Sequence, residues 1–153
     1  MKVILENKKA LFDYSILEKF KAGIVLQGQE VKSIKTGKMG LKGSFVIVKE
    51  SPPEVFLIGA NVPPYQPKNV PKDYDPQRSR KLLLRKSEIK HLIGKAKQKG
   101  LTMIPLRVYT DKGKIKIEIG IAKGKRKVDK RAQIKKRETE REIQRAMKGG
   151  ERL

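Results

Sequence analysis

The sequence predicts a mainly β fold, a small antiparallel β-barrel with about three flanking helices and a basic C-terminal tail. Short apolar runs, separated by glycine and proline, are typical of strands. One clear amphipathic segment at residues 87–99 predicts a helix. Residues 123–153 hold thirteen Lys and Arg, no aromatic residue and no proline, which is too little apolar surface for a core. We therefore place a domain at residues 1–122 and a disordered tail at residues 123–153.

Three strands are predicted in the first half of the domain. Residues 22–26 form an apolar run that ends before Gly28, and residues 44–48 form another that ends at a Ser-Pro-Pro turn. Residues 55–58 follow at hairpin distance. The segment 11–20 is ambiguous, because its apolar residues fit both the alternation of a strand and the spacing of a helix.

Three more strands are predicted in the second half. Residues 82–84 form a short apolar strand, and residues 102–109 and 115–121 form a hairpin. The hairpin is predicted because Asp111 to Gly113 has turn chemistry, with a glycine that tolerates positive φ. Isoleucine alternates with other residues along 115–121, which is typical of a strand with one face on a core.

Two helices and one long loop complete the domain. Residues 87–99 carry an apolar stripe at helical spacing, and residues 29–36 fit a short helix between two glycines. Residues 62–77 hold five of the eight prolines without any apolar period, so we expect a loop. About six short strands with interposed helices favour an OB-like barrel, with an open α+β sheet as the alternative.

The net charge of +22 and the pI of about 10.3 point to a polyanionic partner. The domain alone carries 25 basic and 11 acidic side chains, so the charge is not confined to the tail. Binding to a nucleic acid should fall steeply with salt, because each neutralised phosphate releases counterions. The absence of cysteine excludes disulfides, thiol catalysis and a zinc ribbon.

The residues offer no constellation for catalysis, so we predict neither an enzyme nor a metal or other cofactor. His91, the single histidine, lies on the polar margin of the predicted helix 87–99, which is typical of a surface residue. Asp73 and Asp75 are expected to cap turns or pair with arginines. The basic glycine-rich segment 37–43 lacks the spacing of a P-loop. No apolar run approaches a membrane span or a secretory signal, so we expect a soluble cytoplasmic protein.

Clusters of basic residues are the remaining candidates for a binding site. They comprise Lys8 and Lys9 before the barrel, Lys32 and Lys35 on the short helix, the group Arg78, Arg80, Lys81, Arg85 and Lys86, and the group Lys123, Lys125, Arg126 and Lys127. Only eight aromatic residues are present, so stacking on several bases is not expected. Many cations with few stacking groups favour a structured RNA, read through backbone and shape.

A set of short segments resembles the SmpB family, the SsrA-binding proteins. The matching segments are residues 22–26, 28–33, 41–46, 75–84, 95–101, 121–125 and 129–131. They occur in the order of the family and extend over nearly the whole chain. The segments are specific as an ensemble rather than singly.

The resemblance implies an OB-like barrel in a non-enzymatic, monomeric RNA-binding adaptor. Such a protein binds the tRNA-like domain of transfer-messenger RNA (tmRNA) and delivers it to stalled ribosomes for trans-translation. It also implies that the tail enters the decoding centre and the mRNA channel, contacts the RNA of the small subunit and becomes helical there. A generic ribosomal or single-strand-binding OB protein is the alternative, and a nuclease or RNA-modifying enzyme is a third class.

The resemblance and the basic clusters together give the candidate site residues. The RNA-binding set is Asn7, Lys8, Lys9, Lys21, Glu30, Lys32, Ser33, Lys35, Arg78, Arg80, Lys81, Lys123 and Lys125. Glu30 is interpreted as an orienter of a nearby Lys or Arg, or an acceptor for a ribose hydroxyl. Gly124 is implied as a hinge between barrel and tail. The residues implied at the decoding centre and mRNA channel are Asp129, Lys130, Arg131, Lys135, Lys136, Arg137, Ile143, Ala146 and Met147.

Three positions depart from the pattern of the family. Val128 stands where many relatives carry an aromatic residue or His, so stacking on a base cannot come from there. Lys21 stands where relatives often have an acidic residue, and Tyr74 replaces a common His. These departures change local contacts and leave the family resemblance intact.

Overall fold

The structure, a computed structural model, describes residues 1–125, 137–139 and 141. Seven strands and three helices lie within residues 1–125. In chain order they are β1 (Lys2–Glu6), α1 (Lys8–Asp13), β2 (Tyr14–Ile24), α2 (Gly28–Lys35), β3 (Phe45–Lys49), β4 (Glu54–Ile58), β5 (Arg80–Leu83), α3 (Lys86–Ala96), β6 (Leu101–Asp111) and β7 (Lys114–Gly124). The long proline-rich segment is irregular apart from one 3₁₀ turn at Pro67–Asn69, as predicted.

The strands form one antiparallel sheet in the order β1-β6-β7-β2-β5-β4-β3. The mainly β class is therefore confirmed. The barrel is not closed, because β1 and β3 end the sheet and no hydrogen-bonded ladder joins them in the described range. The sheet nevertheless bends far enough for β3 to contact β6, and α3 packs against both strands.

The β6–β7 hairpin is the longest ladder, and it matches the prediction from alternating isoleucines. Ile117, Ile119 and Ile121 lie fully inside the main core. The turn places Lys112 at φ 51° and Gly113 at φ 78°, as a two-residue hairpin turn with two positive φ angles requires. The predicted turn chemistry therefore sets the register of the centre of the sheet.

The two faces of the sheet bury cores of unequal size. The main core packs Ile34 of α2 and Leu92 of α3 against the central strands. A smaller cluster on the other face joins Ala10 of α1 to Leu106 and Ala122. β7 is therefore buried on both faces near its end, whereas its sequence pattern predicts only one covered face.

The ambiguous segment 11–20 divides between two elements. Asn7 caps α1, its side-chain oxygen accepting from the Ala10 amide at 3.3 Å, and the helix ends at Asp13. From Tyr14 to Gly23 the chain pairs with β7, and this ladder forms most of the eleven-residue strand β2. The sequence analysis missed β1, a half-exposed edge strand that pairs with β6.

The three helices are short, with α3 the longest at eleven residues. Within the described residues no helix is long and apolar enough to cross a membrane.

Gly120 lies where β7 meets irregular pairing on both sides. The register shifts between Ile16 and Glu18 in β2 and between Pro105 and Arg107 in β6. A Cβ at Gly120 would come within 3.0 Å of Leu106, 3.1 Å of Ile16 and 3.3 Å of a backbone oxygen. A side chain there would force these neighbours, one of them backbone, to move by a few tenths of an ångström.

We expect Gly120→Val to lower the free energy of unfolding by about 1–3 kcal/mol through overpacking. Valine is the better strand former, so a loss would report the steric conflict and not strand propensity. Gly124→Val in the same strand is the matched control, because nothing lies within 4 Å of a Cβ there. Urea unfolding of both variants checks this, and equal stability of the two would contradict it.

Candidate nucleic-acid interface

A buried ion network lies between α2 and the start of β5. Glu30 is fully buried and accepts hydrogen bonds from Arg78 Nη2 at 2.6 Å and from Arg80 Nε at 2.7 Å. Arg80 is also fully buried, while the side chain of Arg78 remains 30% exposed. One carboxylate thus holds two arginines that are about fifty residues away in the chain.

Arg80 fixes the ends of the proline-rich loop. Its Nη1 donates to the carbonyls of Ala60 at 3.0 Å and Arg78 at 2.9 Å, and its Nη2 donates to Pro76 at 3.0 Å. The hydroxyl of Tyr74 donates to the Val62 carbonyl at 2.6 Å. The loop is therefore closed at its base by buried donors.

The charge of Glu30 is maintained by its partners. Burial by itself raises the pKa of this carboxyl, but hydrogen bonds from Arg78, the Gln27 amide and Arg80 hold the pKa below its ordinary value. Glu30 is therefore ionised at neutral pH, and the network neutralises charge that would be costly to bury unpaired.

The outward side of α2 presents cations. Lys32 and Lys35 are exposed on the helix, and Lys38 is exposed in the turn that follows. None of the ion pairs formed by residues 1–125 includes one of these three lysines. Ser33, on the inner side, is buried and donates to the Pro63 carbonyl at 2.6 Å.

A second basic group lies around α1. Lys8 and Lys9 are exposed, and Lys9 lines a cavity together with Lys42. Lys125 reaches the same helix, since its amide donates to the Asp13 carbonyl at 2.9 Å and its Nζ to the Leu11 carbonyl at 3.3 Å. The structure thus brings together residues from both ends of the domain.

Lys21 belongs to a third group. It is exposed on β2 and lines a groove that Lys19, Arg85 and Lys116 also line. Lys81 is exposed but forms an ion pair with Glu54 at 3.4 Å. Lys123 is exposed on β7 and stands opposite Ser15 in the ladder.

Four of the predicted RNA-binding residues lie inside the protein. Asn7, Glu30, Ser33 and Arg80 are buried, and Asn7 uses both ends of its amide, on Ala10 and on the Pro105 carbonyl. Their side chains have little or no surface left for an RNA, and their contacts fit positioning of the surface better than direct binding. The interpretation of Glu30 as an orienter agrees with its contacts, whereas a ribose hydroxyl has no access to it.

Only part of the predicted tail site can be located. Gly124 ends β7 opposite Tyr14, and Arg137 is helical with its guanidinium 5.0 Å from the centre of the Phe12 ring. Asp129, Lys130, Arg131, Lys135, Lys136, Ile143, Ala146 and Met147 lie outside the described residues, as does Val128.

Sequence reasoning missed Lys38, Lys42 and Tyr65 as members of basic surfaces. The signal for the two lysines was present, since the segment 37–43 is basic and glycine-rich and has positive φ at both Gly37 and Gly43. Tyr65 had no local signal, because its neighbours come from another element.

The carboxylates and the histidine take structural positions. Asp75 accepts from the Gln77 amide at 2.9 Å, the expected turn cap, and the two arginines pair with Glu30 instead. His91 is exposed and lies 2.7 Å from Glu18. Within the described residues no group of three potential ligands could hold a metal ion.

The described residues form a mainly β domain with exposed lysines that make no ion pair among residues 1–125 and with arginines held by a buried carboxylate. These features define a small basic protein of the nucleic-acid-binding class. Comparison with known proteins gives the family. The SmpB protein family matches residues 4–149, and the chain belongs to this family.

The relatives are similar along almost their full length. The SsrA-binding protein of Cupriavidus taiwanensis is 50% identical, over 96% of this chain and 97% of the relative. That of a Sulfurihydrogenibium species is 51% identical, over 97% and 95%. That of Geobacillus kaustophilus is 49% identical, over 99% and 96%.

A solved structure is also similar. A chain from the work "tmRNA-SmpB: a journey to the center of the bacterial ribosome" superposes with a TM-score of 0.67 at 44% identity. The match extends over 83% of this chain and 87% of that chain.

Glu30→Gln should destabilise the fold strongly. Removing the negative charge leaves Arg80 buried without a counterion, and we expect a loss of about 3–5 kcal/mol in the free energy of unfolding. Glu54→Gln is the matched control, since it breaks only the exposed pair with Lys81 and should cost at most about 1 kcal/mol. Chemical unfolding at neutral pH measures both, and similar losses would contradict a structural network at Glu30.

A comparison of the unmodified protein with Glu30→Gln should also show a pH dependence of stability. The pKa of Glu30 is lower in the folded than in the unfolded chain, so its stabilising contribution is complete above the ordinary glutamate pKa of about 4.3 and is lost as the pH falls through the folded value. We expect the stability of the unmodified protein to fall more steeply in that acidic range than that of Glu30→Gln. Parallel curves from pH 6 to about pH 3 would contradict this.

Proposed function

We propose that this protein is an RNA-binding adaptor for ribosome rescue. It binds the tRNA-like domain of tmRNA and delivers that RNA to stalled ribosomes in trans-translation. Family membership over residues 4–149 carries this conclusion, and the SsrA-binding relatives and the tmRNA-SmpB structure support it. Its role is binding and delivery without catalysis, in the cytoplasm and as a monomer.

In this proposal the exposed lysines contact the RNA, and the buried network of Glu30, Arg78 and Arg80 holds the elements that carry them. We assign direct contact with phosphates to Lys8, Lys9, Lys21, Lys32, Lys35 and Lys123. Arg78, Lys81 and Lys125 already have partners within the protein, so they would contact RNA only by sharing or exchanging them. An open, OB-like barrel is the fold we propose for this surface, supported by the return of β3 against β6.

The chain divides in this proposal into an RNA-binding domain and a tail for the decoding centre and mRNA channel. β7 continues to Gly124, and the Lys125 amide is still bonded to Asp13. These contacts favour a boundary after Lys125, three residues later than the boundary predicted from the sequence. Gly124 is retained as the proposed hinge, which acts once the bonds of Lys125 to α1 open, because a glycine gives the backbone the widest freedom.

A competition assay at near-physiological salt tests the function. Labelled tRNA-like domain of tmRNA is bound to the full chain and challenged with a large excess of ordinary tRNA or of unstructured RNA. We expect the complex to survive both competitors, because recognition of the tRNA-like domain is specific. Binding by charge alone would not survive them, since charge does not distinguish RNAs of equal length. Equal displacement by either competitor would reduce the protein to a generic RNA binder.

Removal of residues 126–153 should separate binding from rescue. We expect the shortened protein to hold the tRNA-like domain with nearly the affinity of the full chain, because the proposed contact surface remains. Peptide tagging on stalled ribosomes in a reconstituted translation system should be lost. Loss of RNA binding by a truncated protein that still unfolds cooperatively would contradict this division of labour.

A further inference from the structure

Two ammonium groups lie over the ring of Tyr65, and neither forms an ion pair within residues 1–125. Lys32 Nζ is 6.0 Å and Lys38 Nζ is 5.8 Å from the centre of the ring. The three residues come from α2, from the turn after it and from the proline-rich loop, so only the fold brings them together. The ring is half-buried and both lysines are exposed, which leaves part of each side chain free for a partner.

The backbone around this group is held in place before any ligand arrives. Ser33 ties α2 to the loop through the Pro63 carbonyl at 2.6 Å, and Gln29 ties it again through the Asn69 carbonyl at 3.0 Å. The Lys38 amide donates to the Ser33 carbonyl at 3.2 Å, closing the turn after the helix. A site held in this way loses little entropy on binding.

No carboxylate among residues 1–125 balances the positive charge of this group. Two ammonium groups that share one ring repel each other, and a cation–π contact contributes little at an exposed site. Neither lysine has an acidic partner among residues 1–125. Lys35 adds a third exposed cation on the same helix. These contacts therefore contribute little to the stability of the fold. The arrangement fits a ligand with a flat face and negative charges on either side.

We propose that Tyr65, Lys32 and Lys38 form a binding site for one unpaired nucleotide of the partner RNA. The base stacks on the ring of Tyr65, and the flanking phosphates are bound by the two ammonium groups. Stacking on one aromatic ring tolerates any base, and structured RNAs display such bases in loops and bulges. The inference rests on the proposed function, because the nucleotide belongs to the RNA that the domain binds.

A tryptophan reporter tests the site directly. The chain has no tryptophan, so Tyr65→Trp introduces a single indole at the proposed stacking position. We expect its fluorescence to be quenched when the tRNA-like domain of tmRNA is added, since the indole would stack on a base. Phe56→Trp is the matched control, because Phe56 is also half-buried with a lysine, Lys49, 5.0 Å from its centre, and its emission should not change.

Affinity measurements give an independent readout. Tyr65→Leu should weaken binding of the tRNA-like domain roughly 5- to 100-fold, the range of one lost base stack, while Tyr65→Phe should bind nearly as well as tyrosine. Thermal unfolding of all variants shows whether leucine acts through stability. Lys32→Gln and Lys38→Gln should each reduce the salt dependence by about one counterion.

The outcomes separate this inference from the proposed function. If the unmodified protein binds the tRNA-like domain specifically, yet Tyr65→Trp is not quenched and Tyr65→Leu binds normally, the nucleotide site is refuted and the adaptor function stands. If Tyr65→Leu and Tyr65→Phe lose binding together with thermal stability, Tyr65 is a structural residue and the site is again refuted. If the unmodified protein shows no specificity among RNAs, the proposed function fails first.

Discussion

The carboxylate of Glu30 is the point on which the arrangement of the basic surface depends. Its two oxygens receive Arg78 and Arg80, and through Arg80 they hold the carbonyls of Ala60 and Pro76. The helix α2, the strand β5 and the proline-rich loop are thereby joined inside the protein by one charge. A buried charge pair is poor evidence for stability in general. Here its specific effect is geometric, since it sets which side of α2 faces outward.

The scarcity of acidic residues gives this network its functional meaning. The chain has 16 acidic against 38 basic side chains, so most cations cannot find a carboxylate within the protein. Two of the acidic residues, Glu30 and Glu118, are buried and form ion pairs with arginines. The lysines of α2 and α1 are left exposed and without ion pairs in the described part of the domain. Each of these two groups attracts phosphates at long range.

The elements predicted from the sequence are those that nearby residues determine, and the features it does not predict depend on contacts between distant residues. The β6–β7 hairpin follows from alternating isoleucines and a glycine turn, and all of its determinants lie within about twenty residues. Segment 11–20 was ambiguous because the choice between helix and strand is made by Asn7 on one side and by pairing with β7 on the other. The Glu30–Arg80 pair spans fifty residues and has no local signature.

The candidate site shows the same limit. Basic residue types correctly indicated exposed positions such as Lys32 and Lys35, because a long cationic side chain rarely finds a place inside. Arg80 is instead buried, and three carbonyls and a carboxylate satisfy its guanidinium in full. Asn7 was assigned to RNA through resemblance, and its amide is occupied by a helix cap. Residue type therefore indicates the class of surface, and burial decides which members can contact a ligand.

The sheet determines where the last described strand ends. β7 ends at Gly124 and Lys125 is bonded to α1, so the chain leaves the domain beside that helix. The guanidinium of Arg137 lies 5.0 Å from the centre of the ring of Phe12, a residue of α1. One such contact at the surface is worth about 0.5–1 kcal/mol, which is less than a charge-assisted hydrogen bond to a phosphate. A phosphate would therefore compete well with the Phe12 ring for the guanidinium of Arg137.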